Sequence, residues 1–338
     1  MHPNNPNRLP IIDMHCDLLV YLTDVPGSAP EKVEEIGCGL PALTAGNVKL
    51  QVMAIYTAAK PGSSHYAALQ RDMFRQLAEA EDNCLTAVTD VNGLHRALQN
   101  ENGVGMVAAI ENAAGFCEAD EPLEEGFKKL EKIITACGRI LYISFTHHTA
   151  NRFGGGNMSQ TGITRDGKML LDYLHGRRIA VDLSHTSDAL AHDMLTHIGR
   201  ERLDIPIIAS HSNFRQVWEH NRNLPDELVQ EIIHRKGLIG MNFVRAFLHN
   251  DDPEVLLHHI RYGLTLGAQD ALCFGADYFY FADFPDPSRF PFYHKEHEQA
   301  GTSYSYILSR LHEELPQDQL AKLSHGNVQR FIERVWSE

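Results

Sequence analysis

The residues of this chain with the most chemical capacity are His15 and Asp17, in the run Ile11-Ile12-Asp13-Met14-His15-Cys16-Asp17, together with Glu111, His147, His185, His211 and Asp277. In an extended strand the period of two puts His15 and Asp17 on one face and Cys16 on the other, a geometry that suits a metal ion. Taken singly, each of these residues is as readily a solvated strand end or a packed ring as a ligand. The signal is that apolar runs repeatedly end in such a residue. Three histidines and two carboxylates from this group make a nitrogen and oxygen donor set of the kind Zn2+ accepts, and five donors exceed what one four-coordinate ion with bound water needs. Two ions sharing a bridge follow, and Glu111 is the best bridge, with one oxygen for each ion. Ions about 3.5 to 4 Å apart would turn a shared water into a nucleophile near neutral pH and polarise a carbonyl, which is hydrolytic chemistry. Asp277 sits where such chemistry needs a proton acceptor.

These side chains can meet only if the elements that carry them converge. Short, nearly continuous apolar runs at 10–16, 48–56, 103–111, 139–147, 179–185, 206–211, 238–244 and 271–277 read as strands buried on both faces. Amphipathic stretches separate many of them: helices are expected over 64–84, over 121–137, through Met169, Leu170 and Tyr173, after a Ser187 cap, over 225–236 and over 253–266. The tail should hold at least two more, the last over 327–336. Eight buried strands with crossover helices predict a closed (β/α)8 TIM barrel, with elaborated loops at its C-terminal face and extra C-terminal helices. An open doubly wound sheet would carry a glycine fingerprint after its first strand, whereas Asp17 is followed by Leu-Leu-Val-Tyr. Every candidate residue falls at a carboxy-terminal strand end, the face where barrels build active sites. No repeat or linker divides the chain, so 1–338 is expected to be one domain.

Bulk properties exclude other classes. A formal charge of -14 without clustered Lys or Arg argues against nucleic acid or an anionic membrane as partner. The polar amino-terminal stretch lacks a secretion pattern, and no apolar run is long enough to span a bilayer, so a soluble cytoplasmic protein is expected. The six cysteines show no C-x-x-C spacing and read as mostly buried thiols.

The sequence resembles the renal, or membrane, dipeptidase family of binuclear zinc peptidases. The motifs that carry the resemblance run in order from Ile11 to about Phe331: His15-Cys16-Asp17, Gly46-Asn47-Val48-Lys49-Leu50-Gln51, Ile110-Glu111, Phe145-Thr146-His147, Thr161-Gly162-Ile163-Thr164, Val181-Asp182-Leu183-Ser184-His185, Ser210-His211-Ser212, Arg222-Asn223-Leu224-Pro225-Asp226 and Gly275-Ala276-Asp277. The resemblance implies two Zn2+ per chain, one held by His15, Asp17 and Glu111 and the other by Glu111, His185 and His211. It implies that His147 meets the oxygen of the tetrahedral intermediate, that Arg222 binds the substrate carboxylate, and that Asp277 shuttles the proton from water to the leaving amine. Strand parity favours His147 over its neighbour His148 as the ring facing the site. The expected substrates are L-Xaa-L-Xaa dipeptides and, from the resemblance alone, L-Xaa-D-Xaa. A homodimer is in keeping with the family, while the membrane attachment of its animal members is not carried over. The alternatives are an amidohydrolase acting on another small carboxylate-bearing amide or lactone, and a metal-binding barrel that has lost catalysis. The chain departs from the family after Asp277, where Tyr278-Phe279-Tyr280-Phe281 replaces the common Phe-Asp-Gly, and at Phe153, where tryptophan is usual. Both departures point to a reshaped substrate pocket, with the aromatic loop to Tyr293 packed over the barrel mouth or against a partner.

Overall fold

The computed structural model describes residues 9–32, 35–80 and 84–337. Its sheet is parallel throughout and contains β1 (Ile11–Cys16), β2 (Val48–Tyr56), β3 (Leu85–Ala87), β4 (Val104–Glu111), β5 (Ile140–Ser144), β6 (Ala180–Asp182), β7 (Ile207–Ile208), β8 (Ile239–Met241) and β9 (Leu272–Phe274). The strand order is β7-β6-β5-β4-β2-β1-β9-β8, with β3 pairing to the outer side of the path at β4. The two ends of this path meet through the Ala209–Ile239 bridge. Backbone bonds from Ala209 N to Leu238 O and from Gly240 N to Ala209 O, both 2.8 Å, complete the closure. The expected eight-stranded barrel is therefore present.

Successive strand residues largely alternate between two different cores, with breaks in the alternation in β1, β2 and β5. Ile12, Met14, Leu50, Val52, Val107, Leu141, Ile208 and Cys273 join Phe331, Ile332 and Trp336 of the last helix, Asn327–Trp336, in one apolar cluster. That helix closes the amino-terminal end of the barrel, where Asn327 donates to Leu272 O at 2.7 Å. The opposite parity, including Ile11, Met53, Ile55 and Ile110, packs with the surrounding helices in the larger core. Among the described residues no helix is long and apolar enough to cross a membrane.

Several boundaries differ from the sequence expectation. The helix expected over 64–84 runs over Ser63–Ala78, and positions 81–83 lie outside the described residues. The stretch between β1 and β2, where no helix was expected, contains two short helices, Leu18–Asp24 and Leu40–Ala45. Strand β3 and the helix Val91–Gln99 were not anticipated, although Asp90 caps that helix by accepting from Gly93 N at 2.6 Å. Most consequentially, strand pairing stops early. His147, His185, His211 and Asp277 each stand on the third residue beyond β5, β6, β7 and β9, in loops rather than on strands.

Closure brings backbones into contact where the ligand-bearing loops leave the barrel. A Cβ on Gly275 would lie 2.0 Å from Ser210 O and 3.1 Å from His211 Cα. Gly275→Ala should therefore lose roughly 1 to 3 kcal/mol or more of stability through overpacking, read as a lowered urea midpoint. An unchanged midpoint would contradict this account of the closure.

Candidate metal centre

Four histidines and three carboxylates converge at the carboxyl end of the barrel. Glu111, the last residue of β4, lies at the centre with its two oxygens turned to different partners. Its Oε2 is 3.5 Å from His15 Nε2, whereas its Oε1 is 2.9 Å from His185 Nε2, 3.4 Å from His211 Nε2 and 4.0 Å from His147 Nε2. His15 Nε2 also lies 3.9 Å from Asp17 Oδ1 and 3.6 Å from Asp277 Oδ1. The rings of His15 and His211 stack at 3.7 Å between centroids. Ligand atoms group within reach of one another as His15, Glu111 and His211, as His15, Asp17 and Asp277, and as His147, His148 and His185.

The loops reach this arrangement by leaving extended geometry. His185 (φ 66°) and Asp277 (φ 63°) adopt the left-handed conformation, uncommon for residues with side chains and concentrated at functional sites. Asp277 is held by its backbone N donating to His15 O at 3.1 Å, by Asn242 Nδ2 donating to Oδ2 at 2.7 Å, and by the Tyr293 hydroxyl donating to its carbonyl. Arg222 is buried; its Nη1 donates to Ser212 Oγ at 2.8 Å and its Nη2 to His211 O at 2.9 Å. Strand alternation cannot choose between His147 and His148, since β5 ends at Ser144. Both rings border the cavity, His148 holding Asn157 Oδ1 at 3.0 Å, but only His147 comes within 4.0 Å of Glu111.

The histidines are oriented by groups the sequence reading passed over. The Tyr142 hydroxyl donates to Met14 O at 2.9 Å, so at 2.7 Å from His15 Nδ1 it accepts that ring's proton. Ser210 Oγ donates to Asp182 Oδ2 at 2.7 Å and, by the same logic, accepts from His211 Nδ1 at 2.6 Å. His185 Nδ1 faces Asn157 Oδ1 at 3.4 Å. Each ring thus keeps its Nδ1 proton outward and aims Nε2 at Glu111, the arrangement metal-ligating histidines require. Tyr142 lay unnoticed inside an apolar run; Asp182 and Ser210 stood within recognised motifs, three residues before His185 and next to His211.

The donors fit a metal on their own chemistry. His15 Nε2 and Asp17 Oδ1 are buried and have no hydrogen-bond partner among the described residues, a costly state unless a cation takes them. Burial lowers the pKa of His185 and His211 well below the usual imidazole value, leaving neutral ligands. Burial likewise brings His147 down to about 3. For Glu111, burial alone would raise the pKa, but the His15 charge and the close approach of the His15, His185 and His211 rings hold it well below the carboxylate range. For His15, burial alone would lower it, but Glu111, Asp277 and Asp17 push it up to about 10. Asp277 rises to about 6, chiefly through burial.

The cage opens into a cavity of about 330 Å³ bordered by Asp17, Glu111, His147, His185 and Asp277, with His15 and His211 beneath. Its outer wall is the loop after β9. Phe279, Tyr280, Phe284 and Phe292 line it, so this loop does fold over the barrel mouth. Phe153 does not shape the cavity: it is fully buried against Phe116 and Phe145. A bulky apolar ring beyond β5 is satisfied by the core between barrel and helices, which its sequence position could not reveal.

A parallel barrel with a histidine and carboxylate cage across its carboxyl ends defines a metal-binding (β/α)8 protein. The chain belongs to the membrane dipeptidase family, peptidase family M19, whose sequence profile matches residues 6–337. Among curated relatives, an "uncharacterized protein in pqqA 5′ region" of Klebsiella pneumoniae is 27% identical over 190 residues. The match takes in 52% of this chain and 65% of that protein, less than two thirds of its length. Among solved structures, the dipeptidase AC, a metallo peptidase of family M19, superposes with a TM-score of 0.81 at 19% identity, over 98% of this chain and 100% of that one. A metallo peptidase from Rhodobacter sphaeroides, liganded with a phosphinate mimic of the dipeptide L-Ala-D-Ala, gives 0.81 at 18% identity, over 97% and 100%. At those identities the likeness is one of fold.

The raised His15 pKa has a measurable consequence. Below about 10 the metal-free cage carries a proton on His15, and a metal ion must displace it. Asp17, raised well above its usual value mainly by burial, adds to the release. Metal affinity should rise with pH and flatten above about 10. Calorimetry at about pH 8 in buffers of unlike ionisation enthalpy should show release of about one proton or more per chain; buffer-independent enthalpies would contradict it.

Proposed function

We propose that the protein is a zinc dipeptidase that binds two Zn2+ per chain and hydrolyses L-Xaa-L-Xaa and L-Xaa-D-Xaa dipeptides. The observation that carries this reading is the division of Glu111, with Oε2 turned to His15 and Oε1 to His185 and His211, as a carboxylate bridging two ions requires. His15 and Asp17 then complete one site, and His185 and His211 the other. Nitrogen and oxygen donors without thiolate suit zinc, which supplies Lewis acidity and a lowered water pKa.

The protein's own groups do the rest. Asp277, with a pKa near neutrality at about 6 and one oxygen fixed by Asn242, takes the proton of the attacking water and returns it to the leaving amine. His147, held neutral by burial, offers an N–H to the carbonyl oxygen as negative charge grows there. Arg222 is committed to Ser212 and His211 through two nitrogens, but its buried Nε has no partner among the described residues and remains for a carboxylate. A free carboxylate one residue beyond the scissile bond would then be required, which restricts turnover to dipeptides.

The test is amino-acid release from a dipeptide panel by protein loaded with zinc. Wild type should cleave dipeptides and hold two zinc equivalents. Asp277→Asn should lower kcat by about 10² to 10⁴, and Arg222→Met should act mainly on KM. Turnover of an acyl amide but of no dipeptide, or full activity in Asp277→Asn, would sink the proposal.

A further inference from the structure

The cavity wall carries a cation that the dipeptidase reading leaves unused. Arg289 is the only Lys or Arg among the described residues bordering the cavity. Its guanidinium lies over the rings of Phe284 and Phe292, at 5.1 and 5.4 Å from their centroids, and is exposed. Ring stacking occupies the faces of a guanidinium and leaves its N–H edge available. No side-chain hydrogen bond takes up that edge among the described residues. Outside the metal cage, His148 and the Tyr56 and Tyr280 rings, the wall is apolar, with Val20, Val244 and Phe247 prominent. The carboxylates in it, Asp17, Glu111 and Asp277, all belong to the cage.

The two arginines sit at different depths. Arg222 is buried, and its charge bears on His147, His185 and Asp277. Arg289 is exposed, and its charge bears on His148 and His220, which also feel Arg222. A substrate anchored by its α-carboxylate at the inner cation has to extend through the cavity whose wall carries Arg289.

We propose that Arg289 is a specificity residue that selects dipeptides whose second residue is aspartate or glutamate, an inference that rests on the dipeptidase reading above. A side-chain carboxylate there gains a charge-assisted contact with the free guanidinium edge, while an isosteric neutral amide can accept only a weaker bond without the charge. The aromatic stack holds the guanidinium in place beforehand, which limits the entropy lost on binding.

The decisive comparison is L-Leu-L-Glu against L-Leu-L-Gln, which differ in charge but hardly in shape. In the zinc-loaded wild type, kcat/KM for the glutamate dipeptide should exceed that for the glutamine one by about two- to fivefold, the size of an exposed ionic contact. In Arg289→Gln that ratio should fall to near one, Arg289→Lys should restore part of it, and added salt should shrink it in wild type. Equal turnover of both dipeptides by wild type, or an unchanged ratio in Arg289→Gln, overturns the inference and leaves the dipeptidase reading standing. Turnover of neither dipeptide overturns both.

Discussion

Moving the Glu111 carboxylate out of water and into the barrel mouth costs several kcal/mol unless positive charge or strong donors surround it. The protein meets that cost with nitrogen from four different loops and strands. His15 approaches one oxygen and His185, His211 and His147 the other, at 2.9 to 4.0 Å. Such a concentration of unsatisfied donors and acceptors is unstable as a packed core. It becomes favourable when cations occupy it, so the same geometry that makes the empty cage costly makes it selective for metal. The barrel is the scaffold that can impose this, because only a closed ring of strands aims loops from opposite sides at one point.

Two buried carboxylates below the cage maintain that aim. Asp13 accepts from His15 N, Gln51 Nε2 and Ala276 N at 3.0 Å and from the Tyr304 hydroxyl at 2.8 Å, tying β1 to the loop that presents Asp277. Asp182 accepts from Ser184 N and Ser210 N at 3.0 and 2.8 Å and from the hydroxyls of Ser144 and Ser210 at 2.6 and 2.7 Å. Through Ser210 it also fixes the tautomer of His211. Each aspartate thus couples neighbouring strands to a ligand, and the left-handed backbone at His185 and Asp277 is sustained by this over-determined network.

The barrel was legible because its strands are buried on both faces and read as continuous apolar runs, which periodicity detects well. The clustered residues were legible because each follows such a run. What escaped was the distance between the end of pairing and the ligand. Hydrophobicity continues through Phe145 and Leu183 because the loops remain buried, so the sequence shows no break where β5 and β6 stop at Ser144 and Asp182. Parity arguments fail beyond those points, which is why His147 and His148 both border the cavity. Orienting groups such as Tyr142 and Asn157 were invisible for a different reason: a hydrogen bond across the barrel leaves no mark on local spacing.

The loop after Asp277 divides the work of the site. Its two ends serve the cage: Tyr293 at the far end holds the Asp277 carbonyl and accepts from Phe279 N at 3.1 Å, and Tyr278 at the near end is anchored to Ser303 at 2.8 Å. Its remaining aromatic residues pack on one another, with Phe292 meeting Phe279, Phe284 and Phe290 at 4.8 to 5.1 Å between centroids. A wall built this way is stiff without secondary structure, because edge-to-face rings hold orientation as well as distance. This cluster supplies none of the cage residues and sets what the open side of the cavity presents. The residues of this loop that hold Asp277 and those that wall the cavity therefore occupy different parts of it.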